Sequence, residues 1–492
     1  MVDVTTVTNS PAAPAGLDAL EARLAQELEW LCLPAASWVP KKQHDGVDVT
    51  DVLVVGGGMC GLTAAASLKL LGIDNIRIVD KSPEEREGPW VTFARMETLR
   101  SPKILTGPSL GIAPLTFRAW YEAQFGLAAW NALDKIPRPQ WMDYLIWYKK
   151  VMNLEIENHI TVSEIVPVAD DVLKVTLNSP EGVEHVFARH IVLATGRDGG
   201  GKPQVPAFAH KIDRRYWAHS ADEIDFAALR GKRVAVVGAG ASAMDNAATA
   251  LEAGAGSVDM FIRRRDIPRI NKLTGVSNPG LTYGFAYLPD EWRWRFNHYA
   301  MVSQTPPPRS STLRVSRHDN ARFHLGSPVE SLREADNALI VQTPCGEYAI
   351  DFLIFGTGFM TDLESRPELA SVKDNIKLWK DVYTPADEES NRELSNSPYL
   401  GSAFECLERS PGICPVVEKV HIFNYAALAS QGKLSGDIPA ISVGAQRLAQ
   451  GIASRLLMED REAHFAALQA YETPELFGDE WVNVEAMAQS AV

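Results

Sequence analysis

Cysteine is scarce in this chain. Only five occur in 492 residues, at Cys32, Cys60, Cys345, Cys406 and Cys414. None is spaced as a C-x-x-C pair or a metal-ligand set, so no metal site is expected, and the pattern suits free thiols in a reducing cytosol. Basic charge is in deficit as well. A net charge of −14 withholds the basic footprint of a nucleic-acid binder, though not a local basic pocket. No apolar run approaches the roughly 20 residues of a membrane span. Met1–Thr8 has neither a basic segment nor an apolar core, so no signal peptide is read and the expected location is cytoplasmic. The composition is otherwise globular, 46% hydrophobic and 22% charged, and the length predicts two or three domains.

What is present centres on Asp51–Asp80. Asp51–Val55 is an apolar, β-branched strand pattern that breaks into Gly56-Gly-Gly-Met-Cys-Gly61 and continues as a helical pattern over Leu62–Leu71. Ile76–Asp80 then reads as a second strand ending on an acid. Gly56, Gly58 and Gly61 fit G-x-G-x-x-G, with Met59 and Cys60 inside the turn and Lys81 after the acid. Gly56 allows the tight turn, Gly58 admits a pyrophosphate, and Gly61 lets helix and strand pack closely. The helix N-terminus stabilises the phosphate charge, and Asp80 accepts from a ribose hydroxyl. The device recurs. Lys232–Val237 is a strand, Gly238-Ala-Gly-Ala-Ser-Ala243 is the G-x-G-x-x-A variant (Gly240, Ala241 and Ser242 within it), and Val258–Ile262 is the next strand. Here Arg263, Arg264 and Arg265 stand in place of the acid. An acid repels a 2′-phosphate and guanidinium groups bind it, so the first site is assigned to an adenine dinucleotide lacking that phosphate and the second to NADPH.

Several further segments carry candidate roles. The loop Glu87–Lys103 is rich in Gly, Pro and Trp, and its Trp90, Arg95, Arg100 and Lys103 are candidates to hold a flavin, against a structural plug as the plainer reading. Leu17–Leu31 predicts an amphipathic helix. Leu115–Gln124 and Trp141–Lys150 predict helices whose aromatics belong to the core. Val172–Leu177 and His185–Ala188 predict a hairpin, followed by a buried strand from His190 ending in Ala194-Thr195-Gly196. Asp351–Phe355 leads to a matching Gly356-Thr357-Gly358, and the two mark crossings between nucleotide-binding units. Asn271–His324 is irregular and aromatic, broken by Pro306–Pro308, with a helix at Asp290–Ala300. His421–Tyr425 predicts a strand leading to a helix over Ala440–Leu457, beside which Asn424 and Asp437 are polar candidates for the flavin ring.

The two glycine fingerprints, the Thr-Gly endings and Arg263–Arg265 together resemble the class B flavoprotein monooxygenases, over about residues 50–460. That group includes the flavin-containing monooxygenases, Baeyer–Villiger monooxygenases and N-hydroxylases. The order of Gly88, Trp90 and the basic loop is similar to the group's flavin-covering segment. Of the group's fingerprint F-x-G-x-x-x-H-x-x-x-(Y/F/W), only His219-Ser220 matches. Asp213, Arg215 and Glu223 replace the other fixed positions, which places the chain in a divergent branch.

The resemblance implies an α/β fold of two dinucleotide-binding (Rossmann-like) domains, the NADPH domain inserted into the FAD domain. The expected divisions are a helical extension over 1–48, an FAD domain over 49–212 and 352–492, and an NADPH domain over 213–351 with an irregular insertion at about 271–324. It implies FAD in the first site, NADPH in the second and a C4a-(hydro)peroxyflavin that passes one oxygen atom of O2 to a small organic substrate. His219 or Ser220 is then a candidate to hold the nicotinamide ribose, and Arg95 or Arg100 to stabilise the anionic flavin. An NADPH oxidase or reductase without oxygenation stays open, as does a non-catalytic flavin-binding protein. So do N-, S- or Baeyer–Villiger oxygenation and a homodimer.

Overall fold

A computed structural model describes residues 15–169 and 171–481. β1 (Gln43–His44) pairs antiparallel with β2 (Val47–Val55), in which Val52, Leu53 and Val54 are wholly buried. A parallel strand covered on both faces reads as an unbroken apolar run, which is why Asp51–Val55 lacks alternation. α2 (Met59–Leu70) crosses to β3 (Ile76–Val79), parallel to β2. β4 (Thr161–Ala169), β5 (Val172–Ser179) and β6 (Gly182–Leu193) add an antiparallel arm, β6 also runs parallel to β2, and the late strand β17 (Val420–Ile422) lies on the other side of β6. His185–Ala188 and the strand from His190 were expected as separate strands. They are one. β6 pairs with β5 through its first half and with β2 from Phe187 onward, so the chain never breaks at Arg189.

The extension packs on this unit. α1 (Leu17–Trp30) buries Leu20 and Leu24 in the main core, and Glu21 accepts from the Trp147 indole at 3.1 Å. Residues 1–14 of the expected extension, and 482–492 at the other end, lie outside the described residues. α3 (Phe117–Ala132) and α4 (Arg138–Val151) interlock through Phe117, Trp120, Trp141 and Tyr144, so their aromatics are core, as expected.

A second parallel sheet follows the order β11-β10-β9-β15-β8, built from β8 (Trp217–His219), β9 (Arg233–Val237), β10 (Ser257–Ile262), β11 (Ala321–Leu325) and β15 (Phe352–Phe355), with α5 (Ala241–Glu252) joining β9 to β10. Phe352–Phe355 was expected to open the return to the first unit. It lies inside the second sheet, between β9 and β8, so the return begins only after Phe355. The two crossings pair with each other as β7 (Gly201–Pro203) and β16 (Phe359–Thr361). β12 (Ser331–Ala335), β13 (Ala338–Thr343) and β14 (Gly346–Ile350) form a small antiparallel sheet. The stretch expected to be irregular holds α6 (Pro279–Gly284), α7 (Asp290–Ser303), α8 (Arg309–Ser316) and β11, with Pro306–Pro308 separating α7 from α8. The short α9 (Arg392–Ser395) and α10 (Leu428–Gln431) precede α11 (Ile441–Glu459) and α12 (Arg461–Ala470).

α11 packs against α2, and Leu448, Ile452 and Leu456 are wholly buried, each contributing roughly 1.5–3 kcal/mol of transfer free energy. Its C-terminal end is fastened electrostatically. Arg189, buried in β6, pairs with Asp460 at 2.8 Å, Glu459 at 2.8 Å and Asp51 at 3.3 Å. Next to it, His190 Nδ1 lies 3.1 Å from His421 Nε2, and His421 Nδ1 lies 2.8 Å from the Ala403 carbonyl. The carbonyl requires His421 to donate from Nδ1, so His421 Nε2 accepts from His190. Burial pushes His190 down to about 4 and, with the neighbouring His190 charge, pushes His421 well down, so both are neutral at pH 7. Both values lie below that of an unfolded histidine. Stability from this pair is therefore complete above about pH 6.5 and is lost as pH falls toward 4, because the unfolded chain takes up protons that the folded chain refuses. The thermal unfolding midpoint should already decline between pH 7 and 5, before most carboxylates titrate, and a midpoint flat across that window would contradict the assignment.

Candidate active site

At the end of β2, Gly56 turns the chain with φ of 105°, and a Cβ there would lie 2.5 Å from the Ala194 carbonyl. Gly61 faces the Gly56 carbonyl, which a Cβ would approach to 1.8 Å. Only hydrogen fits at these two points. Gly58 differs. It is the N-cap of α2, and a Cβ there would meet only the Gly88 backbone at 3.5 Å, an ordinary contact. No protein group demands glycine at 58, so the close approach it allows is to a ligand. Met59 and Cys60 form the first turn of α2 behind it.

Asp80 is buried at the end of β3, with its Oδ2 accepting from Gly57 N–H and its Oδ1 from Ser82 N–H, each at 2.7 Å. Lys81 beside it is exposed. Over the turn lies Gly88–Trp90, whose indole sits edge-on to Trp141 at 6.1 Å. The Trp90 Nε1–H is buried without an acceptor among the described residues. An orphaned donor above a bare helix N-terminus fits the oxygens of a dinucleotide. The residues therefore suit FAD. Gly56, Gly58 and the start of α2 would hold its pyrophosphate, Asp80 its ribose, and Thr195 and Gly196, at the end of β6, the side toward the flavin. The Cys60 thiol donates to the Ser435 carbonyl at 3.3 Å, and burial together with Asp437 pushes it up to about 12. It is no redox thiolate.

The second turn repeats the first with one exchange. Gly238 has φ of 124°, and its Cβ would lie 2.6 Å from the Gly356 carbonyl. Ala243 is admitted because it packs against Gly356, where a Cβ would come within 2.6 Å of the alanine. Gly240, the N-cap of α5, has open space around it, with Ala241 and Ser242 opening the helix. At the end of β10, Arg263 is exposed and Arg264 donates to the Val302 carbonyl at 2.9 Å. Neither has a carboxylate partner among the described residues, which leaves their charge for a 2′-phosphate.

Four candidates have protein partners. His219 is buried. Ala221 N–H donates to its Nδ1 at 3.1 Å, so Nε2 carries the hydrogen and donates to the Gly358 carbonyl at 3.0 Å, and burial lowers its pKa. Nε2 thus holds the returning crossing while Nδ1 closes the turn after β8, so both ring nitrogens of the candidate catalytic residue have protein partners. Thr357 donates to the Gln204 carbonyl, and Gln204 N–H donates to the Gly358 carbonyl at 2.8 Å, which joins the two crossings again. Asn424 donates to the Leu193 carbonyl and to Thr195 Oγ1, each at 3.1 Å, and accepts from Ala426 N–H at 2.9 Å. Its amide is a clasp between β6 and β17 that uses both of its N–H donors. Lys103 donates to the Trp130 and Leu133 carbonyls, capping α3 instead of facing a cofactor.

The other basic-loop residues reach across to the second unit. Arg95 donates to the Thr92 carbonyl and lies 5.4 Å from the Phe226 ring centre, while Arg100 donates to the Pro306 carbonyl at 3.1 Å. The buried Arg314 of α8 answers them, donating to the Arg95 carbonyl at 3.2 Å and to Glu252 of α5 at 2.7 Å. Asp437 stands before α11 and pairs with Lys433 at 3.0 Å. Arg197, which follows Gly196 and drew no expectation from sequence, lies 4.3 Å from the Tyr425 ring centre. Its place directly after Ala-Thr-Gly was the available signal. Gly199, Gly200 and Gly201 were also passed over. Side chains there would strike Thr195, Ala426 and the Met360 carbonyl. Among the described residues no group of His, Cys, Asp and Glu is placed to hold a metal ion, and no helix is long and apolar enough to cross a membrane.

Residues 53–277 match the family model described as pyridine nucleotide-disulphide oxidoreductase. Over 463 residues the chain is 39% identical to an FAD-dependent urate hydroxylase of Xanthomonas campestris pv. campestris, covering 93% of this chain and 97% of that protein. Ornithine hydroxylase from Pseudomonas aeruginosa is similar in structure with a TM-score of 0.66 at 17% identity, covering 83% of this chain and 100% of that one. An ornithine N-hydroxylase of Kutzneria sp. 744, solved with reduced FAD, NADP+ and L-ornithine, gives 0.64 at 16% identity, covering 83% and 99%. At such identities the two structures bear on the fold alone.

Two substitutions test the cofactor sites. Gly58→Val should fold, since its neighbours leave room, yet purify without flavin, and a yellow variant would contradict the first-site assignment. Arg263→Ala with Arg264→Ala should raise the KM for NADPH by about tenfold to a hundredfold while barely changing that for NADH, the loss expected of charge-assisted phosphate contacts. An equal rise for both nucleotides would remove the 2′-phosphate role.

Proposed function

The chain belongs to the class B flavoprotein monooxygenases, in the family of the Xanthomonas urate hydroxylase, and from that premise we propose that it hydroxylates urate or a closely similar oxopurine. It is an FAD-dependent monooxygenase that consumes NADPH. The observation that carries the substrate reading is the 39% identity maintained over nearly the full length of both proteins. In the reaction NADPH supplies two electrons as hydride, one atom of O2 enters the substrate, and the other leaves as water with the added proton. FAD supplies the oxygen-transfer chemistry, for which side chains have no equivalent.

The chain's own residues bind, orient and enclose. Gly58 and Gly240 admit the two pyrophosphates at helix N-termini, and Arg263 and Arg264 select the phosphorylated nucleotide. Trp90 and its loop cover the first turn, held by Arg138, which donates to the Trp90 carbonyl and to the Met96 carbonyl at 2.9 Å. His219, Gln204 and Thr357 fix the crossings, so the two nucleotide sites keep a set distance. Enclosure of this kind keeps water from the reacting centre. A cytoplasmic location is supported by the absence of any disulfide among its five cysteines.

Urate should accelerate NADPH oxidation by the flavin-loaded protein. With isotopically heavy dioxygen, one labelled atom should appear in the product for each NADPH consumed. Release of hydrogen peroxide equal to the NADPH consumed, with no labelled product from urate, would replace this reading with an NADPH oxidase.

A further inference from the structure

The strands β2, β6 and β17 end side by side, and in an open α/β sheet ligands bind beyond such carboxyl ends. Two arginines outside the glycine turns bear on this region. Arg197 follows Gly196 out of β6, and its guanidinium lies over the Tyr425 ring at 4.3 Å from the centre. The Tyr425 N–H donates to the Gly196 carbonyl at 3.3 Å, which holds ring and arginine on one backbone frame. Arg100 enters from the covering loop, braced on the Pro306 carbonyl at 3.1 Å. Its guanidinium, exposed at the surface, is held below its ordinary value by desolvation and by the charge of Arg197, against Asp437 and Asp245, which raise it.

Neither arginine has a carboxylate partner among the described residues. Asp437 is taken by Lys433 at 3.0 Å, and burial raises Glu393, against Arg197 and a Thr361 backbone hydrogen bond that lower it. Burial likewise raises Tyr425, whose hydroxyl is therefore a neutral donor. No carboxylate makes an ion-pair contact with either guanidinium, while Asp437 and Asp245 attract Arg100 from further off and Glu393 interacts with Arg197, and an anion between the two like charges relieves their repulsion.

We propose that Arg197, Arg100 and Tyr425 form a clamp for a planar organic anion, which on the reading given above is the urate monoanion. A guanidinium offers paired donors in one plane, matching the adjacent carbonyl and ring-nitrogen acceptors of an oxopurine. The clamp selects the anionic purine over an uncharged one. It also keeps the ring in its electron-rich form, the form that an electrophilic oxygen donor attacks. This inference rests on the oxopurine reading, and the experiment separates the two.

Urate binding is measured on the oxidised, FAD-loaded protein without NADPH, by the perturbation of the flavin absorbance, with the uncharged purine caffeine for comparison. The wild type should bind urate far more tightly than caffeine. Arg197→Gln should weaken urate about tenfold to a hundredfold, with a much smaller change for caffeine and for the KM of NADPH, while Arg197→Lys should recover part of the loss. Equal urate affinity in Arg197→Gln and wild type would overturn the clamp and leave the oxopurine reading standing. A parallel loss of NADPH affinity would assign the arginines to the nucleotide and likewise overturn it. If the wild type neither binds nor turns over urate, the oxopurine reading falls, and the clamp as stated falls with it. Should Arg197→Gln lose its flavin, Arg100→Gln carries the same comparison.

Discussion

The structure depends on a contact that permits no side chain, the approach of a helix N-terminus to the strand end before it. At the first turn Gly61 lies against the Gly56 carbonyl, and at the second Ala243 lies against Gly356. Each contact sets a helix so that its free N–H groups face outward over a glycine, Gly58 or Gly240, that the protein's own packing does not require. Phosphate charge is stabilised there by the helix dipole and by backbone donors with no other partner.

Placing the two turns is the work of the crossings and of the loop 87–103. β7 and β16 pair, His219 and Gln204 both reach the Gly358 carbonyl or its amide neighbourhood, and glycines at 199, 200 and 201 let the strands pass without collision. On the opposite side Arg314 ties α5 and α8 to the covering loop through the Arg95 carbonyl. A pair of nucleotide-binding units joined by two short strands alone would move relative to each other. The clamps at both margins restrict that motion.

The features most legible in the sequence are the local ones. Glycine spacing, the acid at 80, the arginines at 263 and 264 and the apolar runs of β2 and β9 all act within one strand–turn–helix unit. Less legible are polar side chains that satisfy distant backbone. His219, Asn424 and Lys103 carry the same functional groups as site residues, and each bonds to carbonyls brought near by the fold, Asn424 to strand β6 some 230 positions earlier. The aromatic helices α3 and α4 were read correctly as core because their periodicity is local too.

The amino-acid order thus determined two dinucleotide units and the nested arrangement of their strands. These follow from backbone sterics, helix dipoles and charge within about 30 consecutive residues. Tertiary structure alone decided that Phe352–Phe355 belongs inside the second sheet, that His219 is a neutral clamp, and that Arg197 meets Tyr425 across more than 200 residues of chain. The reason is that partner choice for a polar side chain depends on which backbone groups the completed sheets leave unsatisfied, and no spacing along the chain encodes that.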